Sequence, residues 1–200
     1  MGKLIVVVGN TGVGKTSLVN ALCAESKFAT GLEQHAGRPF QSLFKSDPEY
    51  ALENQFDYLL LRSEQERSIR KGSLPGIQDG GLDLDFHVFT RLFLEKHFLS
   101  TDDYSLCNRL YEMIRAAQPP PDRIIWMQAP LDVVENRFAL RSRPMEIAEQ
   151  GDLKLIDSLL SEWLGSIEKK GLIELDASGN DPTYADLLPG LLDQLLEIEK

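Results

Sequence analysis

The residues from Lys3 to Val8, KLIVVV, form an almost unbroken apolar run. Such a run fits a strand covered on both faces, as in a parallel sheet, better than an alternating surface strand. The same signature returns in RIIWMQ, Arg123 to Gln128, and more weakly in FATGLE, SLPGIQDGG and LIELDAS. Between these runs the apolar spacing changes to a helical period. Lys15 to about Glu25 reads as a helix. The stretch after the loop HAGRP reads as a long helical region, whose core from Tyr50 to about Arg70 carries Leu52, Phe56, Leu59 and Leu60 on one stripe. Asp85 to Leu99 follows, with Phe86, Phe89, Phe93 and Leu94 on one face. Ser100 can cap the next helix, with Asp103 three residues later as the second half of a capping box. QPPPD ends that helix, because three prolines cannot continue it. Leu131 to Arg141, Asp152 to Glu168 and the leucine-rich Tyr184 to Glu199 complete the helices, with Pro189 delaying the start of the last to its first turn. Strands alternate with helices throughout, which predicts an α/β protein with a mostly parallel five-stranded sheet flanked by helices.

Composition narrows the function classes. The chain has 200 residues, 42% hydrophobic and 26% charged, with a formal net charge of -10. That is enough for one domain with a full core, and one domain over residues 1–200 is expected. The acidic balance argues against a general nucleic-acid binder, which needs a basic face, but leaves room for a small anionic ligand on a local basic site. No apolar run approaches the roughly 20 residues of a membrane span. Strand-like residues begin almost at Met1, so no targeting segment is expected and the location expected is cytoplasmic. Cys23 and Cys107 are far apart and read as packed thiols, and His35, His87 and His97 have no ligand spacing. Trp126 and Trp163 read as core. Phe40, Phe44, Phe56 and Phe86 are rings that could stack on a ligand, but core packing is the commoner use, so none is assigned.

The chemistry starts at Gly9. GNTGVGKT, Gly9 to Thr16, matches G-x-x-x-x-G-K-[ST] between a strand and a helix, and Ser17 follows it. In this setting the amides of Gly9, Asn10, Thr11, Gly12, Val13 and Gly14 can form a concavity for phosphates, with the helix N-terminus adding positive dipole. Lys15 is placed to reach the β- and γ-phosphates, the Thr16 hydroxyl can ligate Mg²⁺, and Ser17 completes the expected phosphate-binding set. A P-loop NTPase fold with three layers is therefore expected.

The loop also resembles the start of a small GTPase. No Asn-Lys pair exists for a base-reading N-K-x-D, and the D-x-x-G at Asp176 to Gly179 comes after the last strand. Phosphoryl transfer to a small acceptor fits better. Glu33 after the second strand and Asp79 at the end of the third lie where carboxyl ends of strands bring groups to a ligand; a hydroxyl acceptor benefits from such a carboxylate base. Arg137, Arg141 and Arg143 fall within seven residues and read as an arginine-rich lid, spanning about residues 137–150, that closes over phosphates.

These features together resemble the deoxynucleoside kinases, which phosphorylate the 5′-hydroxyl of deoxyribonucleosides with ATP and Mg²⁺. The likeness runs through GNTGVGKT, LEQHAGRPFQSLFKSDPEYALENQFDYLLLR, GIQDGGLDLDFHVFTRLF and RFALRSRPMEIAEQGDLKLIDSLLSEWL. It implies that Glu33 is the general base, that Gln55 reads the base edge, and that Arg62 and Asp85 assist, a pair that accompanies purine or cytosine nucleosides. It implies lid roles for Arg137, Arg141 and Arg143, and places Glu146 at the sugar 3′-hydroxyl, with Glu149 as rival. It gives Asp79 a magnesium-linked role and implies a homodimer. Gln55 and Arg62 are seven apart, two helical turns, so they share a face.

Two departures stand out. The family's Asp/Glu-Arg-Ser motif is here Asp79-Gly80-Gly81, and Phe44 stands where many members have a tyrosine. The alternatives are another P-loop kinase, such as a nucleoside-monophosphate kinase, or a nucleotide-binding regulatory protein with impaired chemistry.

Overall fold

The computed structural model describes residues 2–32, 37–141 and 146–196. Five parallel strands run in the order β2-β3-β1-β4-β5. They are β1 (Leu4–Gly9), β2 (Ala29–Gly31), β3 (Gly76–Asp79), β4 (Arg123–Gln128) and β5 (Leu172–Asp176). β1 lies at the centre and is buried along its whole length, which is why its sequence is uniformly apolar. It pairs with β3 from Leu4↔Gly76 to Val7↔Asp79 and with β4 from Ile5↔Arg123 to Gly9↔Met127. That register brings the ends of β1 and β3, and with them Gly9 and Asp79, to the same edge of the sheet.

Helices cover both faces. On one face, α1 (Lys15–Glu25) and α9 (Leu188–Leu196) pack over Ile5, Val7, Ile77 and Ile125. On the other lie α2 (Pro39–Ser46), α3 (Ala51–Lys71), α6 (Thr101–Ala117) and α8 (Leu153–Gly165), over Leu4, Val6 and Val8. α7 (Leu131–Leu140) runs beside the first loop, where its Val134 and Phe138 back onto Gly12. Ser100 forms the expected capping box with Asp103 at the start of α6.

Three elements differ from the sequence pattern. The expected long helical region is divided into α2, a 3-10 turn at Pro48–Tyr50 and α3, because Pro48 cannot extend α2. The last helix begins at Leu188, past Tyr184, whose backbone is left-handed (φ 53°); Pro189 then sits in its first turn, where no N–H is missed. The expected helix from Asp85 starts instead at Leu82 and contains a π-helical segment, Asp85–Thr90, between α4 (Leu82–Leu84) and α5 (Arg91–Glu95). The π turn divides the phenylalanine stripe. Phe86 stacks on Tyr111 at 4.1 Å, whereas Phe93 packs edge-on against Phe44 at 5.0 Å.

Behind the π segment lies a charged cluster that takes no part in the site described below. Arg115 donates to both oxygens of Glu66 and to Asp83, and the Tyr111 hydroxyl donates to Asp83. Burial pushes the Glu66 carboxyl above its ordinary value, and Arg115 pulls it back in part. The same burial holds the neighbouring His87 below its ordinary value.

Candidate active site

The carboxyl ends of the strands open into a cavity of about 350 Å³. One wall is the loop from Thr11 to Gly14 with Lys15, Thr16 and Ser17 at the start of α1. The loop turns sharply into the helix at Gly14, whose φ of 112° is left-handed and whose missing Cβ leaves room for the Tyr184 hydroxyl. A side chain there would meet both penalties, so glycine is required. The Lys15 ammonium donates to the carbonyls of Gly9 and Asn10 at 3.1 Å each. The loop is tied from below, since the Asn10 amide donates to the Leu153 carbonyl at 2.8 Å and its oxygen accepts from the Thr11 N–H.

The Thr16 hydroxyl donates to Asp79 Oδ2 at 2.5 Å. β1–β3 pairing makes this contact, bridging 63 positions of sequence. An alcohol and a carboxylate at this distance form a hard-oxygen pair beside a phosphate loop, and such donors suit Mg²⁺, which prefers oxygen ligands and keeps several waters. The residues present therefore fit that ion.

The opposite wall is built by α3 and the π segment. Gln55 Nε2 donates to the Asp85 carbonyl and to Thr90 Oγ1, both at 2.8 Å. Both amide protons are thus used to hold the π turn, and Oε1 is left as an acceptor. Arg62 Nε donates to Asp85 Oδ2 at 2.8 Å. Asp85 and Gln55 line the cavity; Arg62 is fully buried behind them and reaches it through Asp85. The three residues the sequence singled out on this wall are thus brought together.

The lid arginines have different surroundings. Arg137 donates to the carbonyls of Val13, Ala177, Ser178 and Gly179. It fastens the phosphate loop to the chain that leaves β5. Arg141 pairs with Glu146 at 2.5 Å, and both line the cavity. Glu149 instead pairs with Lys96 at 3.0 Å and does not line it. Glu33 and Arg143 lie outside the described residues.

Several lining residues had no motif to announce them: Gln41, Asn54, Tyr58, Phe89, Phe93 and Tyr184. The rings that reach the cavity include Phe89 and Phe93, whereas Phe40, Phe44, Phe56 and Phe86 do not. Only the π turn separates Phe86 from Phe89 in this respect, and a helical period of 3.6 places them together. Burial pushes the Tyr184 phenol above its ordinary value, with Arg137 pulling the other way.

Gly80, at the place of the missing motif arginine, has φ 82°, and a Cβ there would stand 3.0 Å from Arg62 Nη2. The absence of a side chain is therefore built into the backbone. Gly80→Ala is expected to cost about 1–2 kcal/mol, the penalty of a left-handed backbone for an L-residue, read as a lower denaturation midpoint at unchanged slope.

A parallel sheet in this order, with a phosphate loop after its central strand and a hydroxyl-carboxylate pair beside it, defines the P-loop NTPase fold. The deoxynucleoside kinase family model matches residues 5–186, and the chain belongs to that family. It is 29% identical over 148 residues to a deoxyadenosine/deoxycytidine kinase of Bacillus subtilis, covering 72% of this chain and 68% of that one. It is 28% identical over 146 residues to a deoxyadenosine kinase of Dictyostelium discoideum, covering 72% of this chain and 59% of the relative. The structure of a deoxyadenosine kinase from M. mycoides, solved with dCMP and dCDP bound, superimposes with a TM-score of 0.82 over 96% of this chain and 99% of that one, at 17% identity. The chain is thus a phosphotransferase that acts on nucleosides. Among the described residues no helix is long and apolar enough to cross a membrane.

Proposed function

We propose that this chain, as one domain, transfers the γ-phosphoryl group of ATP to the 5′-hydroxyl of a deoxyribonucleoside with an amino-bearing base, adenine, guanine or cytosine. The observation that carries the reading is the single cavity with a phosphate loop on one wall and the Gln55–Asp85 pair on the other. A nucleoside spanning it would turn its 5′-hydroxyl to Lys15 and its base edge to α3. Asp85 and the free oxygen of Gln55 are acceptors, which suits an exocyclic amino group and not the carbonyls of thymine. The relatives' names, deoxyadenosine/deoxycytidine and deoxyadenosine kinase, point the same way.

Glu33 takes the proton of the 5′-hydroxyl as the oxygen attacks phosphorus; the bond to the β-γ bridging oxygen breaks and ADP leaves. Lys15, Arg141 and Arg143 balance the charge on the transferring group, and Arg137 braces the loop that presents it. Thr16 and Asp79 would hold Mg²⁺, which when bound neutralises phosphate charge. Glu146 faces the sugar. The described residues of the cavity wall around Gln55 carry neither lysine nor arginine, and Arg62, buried behind them, is bonded to Asp85. That disfavours a phosphorylated acceptor, which would need extra cations.

ATP consumption with each of the four deoxynucleosides tests this. Turnover with an amino-bearing nucleoside, reduced in Glu33→Gln by about 10²–10⁴, the usual worth of a general base, is the expected result. ATP binding with no turnover of any of the four would overturn it and favour a regulatory role.

A further inference from the structure

Asn54 is at odds with its place in the fold. It sits inside α3, where asparagine is a poor helix former. It is 2% exposed, and its Oδ1 has no hydrogen-bond partner among the described residues. A buried amide oxygen without a donor is destabilising, so a leucine of similar volume would serve the helix and its packing better. When local propensity and burial both speak against a residue, a functional cause is the economical explanation. Asn54 lines the cavity beside Gln55, 100° around the helix from it. Gln55 is taken up by the π turn, but Asn54 is not.

We propose that Asn54 is a specificity-determining residue whose carboxamide hydrogen-bonds the 3′-hydroxyl of the acceptor's sugar. This rests on the nucleoside reading above. In that reading the 5′-hydroxyl goes to the phosphate loop, the base edge to Gln55 and Asp85, and the proton of the 3′-hydroxyl to Glu146, which as a carboxylate can only accept, so the lone pairs of that hydroxyl are left for a second side chain lining the same cavity. A hydroxyl both donates and accepts, and an amide turned about its last torsion offers either oxygen or nitrogen, so the two are matched in either orientation. Phe44 has no hydroxyl to compete, and its ring, 4% exposed, is packed against Phe93 and Phe98. Gln41, 3% exposed on α2, adds a second amide to the same cavity.

The test compares kcat/KM for a deoxynucleoside with that for its 2′,3′-dideoxy analogue, in the full chain and in Asn54→Leu. The normal chain is expected to favour the deoxynucleoside. Asn54→Leu is expected to shrink that preference about tenfold, the worth of one good hydrogen bond, mostly through KM. It is also expected to melt about 2–4 °C higher, since an unmet polar group has been removed. A residue kept for packing would lower both substrates alike and melt lower, so an unchanged ratio overturns the proposal. Asn54→Ala gives the same ratio should leucine not fit. If the normal chain turns over neither nucleoside, the acceptor reading fails, and calorimetric binding of the same two nucleosides decides on Asn54. An equal affinity for both, or none for either, counts against it.

Discussion

Lys15→Met is expected to lower kcat about a thousandfold while leaving the melting temperature within a degree or two. The Lys15 ammonium donates to two loop carbonyls, and the residue lines the cavity. In the proposed reaction its charge lies beside the place where the γ-phosphoryl group separates from ATP. Charge grows there on the bridging oxygen in the transition state, and a preorganised cation in a partly dry site is worth far more than in water. Losing one preorganised donor typically costs 10²–10³ in rate, and a full charge lies at or beyond the upper end; a thousandfold corresponds to about 4 kcal/mol of barrier. Folding should hardly notice. Lysine and methionine have similar helix propensities, and methionine keeps the unbranched shape of the side chain. Steady-state kinetics beside calorimetric melting separates the effects. A raised KM with unchanged kcat would mean that Lys15 binds ATP and its transition state equally, and that the barrier is lowered elsewhere.

The sequence was most legible where the chemistry is local. The phosphate loop is nine consecutive residues, so its strand, turn and helix could be read without knowing the rest. Gln55 and Arg62 were readable because two turns of one helix keep them on one face, and their closeness to Asp85 followed from the family likeness. The contact between Thr16 and Asp79 depends on which strands are neighbours, and that order is a property of the whole sheet. The π turn was hidden for a different reason. One extra residue in a helical turn leaves the apolar pattern almost intact, yet it sends Phe86 to Tyr111 and leaves Phe89 in the cavity. Arg137 was visible as a cation, but its partners are carbonyls, which every residue carries and no pattern distinguishes. Asn54 was illegible for the same reason that makes it informative. A buried amide has no motif and shows itself only as a polar atom without a partner.

Asp85→Ala should be the most destabilising of the substitutions considered. Arg62 is fully buried, and its Nε–Oδ2 bond to Asp85 is 2.8 Å in a place where the two side chains are 0% and 7% exposed. Removing the carboxylate leaves a guanidinium that water cannot reach, and breaking a buried pair in this way costs about 3–5 kcal/mol. For a chain of this length that lowers the melting temperature by about 10 °C. The π turn should suffer less, because Gln55 holds it through the Asp85 backbone carbonyl and Thr90, which the substitution leaves in place. Arg62→Met combined with Asp85→Leu separates folding from recognition. It removes both charges, so most of the lost stability should return, as apolar replacements of buried pairs often show. Turnover of amino-bearing nucleosides should not return, because the cavity has lost the carboxylate that, in the proposed reading, accepts from the amino group. Melting curves and kcat/KM for deoxyadenosine and thymidine, taken on the single and double variants, make the comparison. Stability and nucleoside selection recovering together in the double variant would mean that Asp85 only neutralises Arg62. Stability recovering alone would mean that the pair was kept for the ligand, with Arg62 fixing the direction of the carboxylate that the base meets.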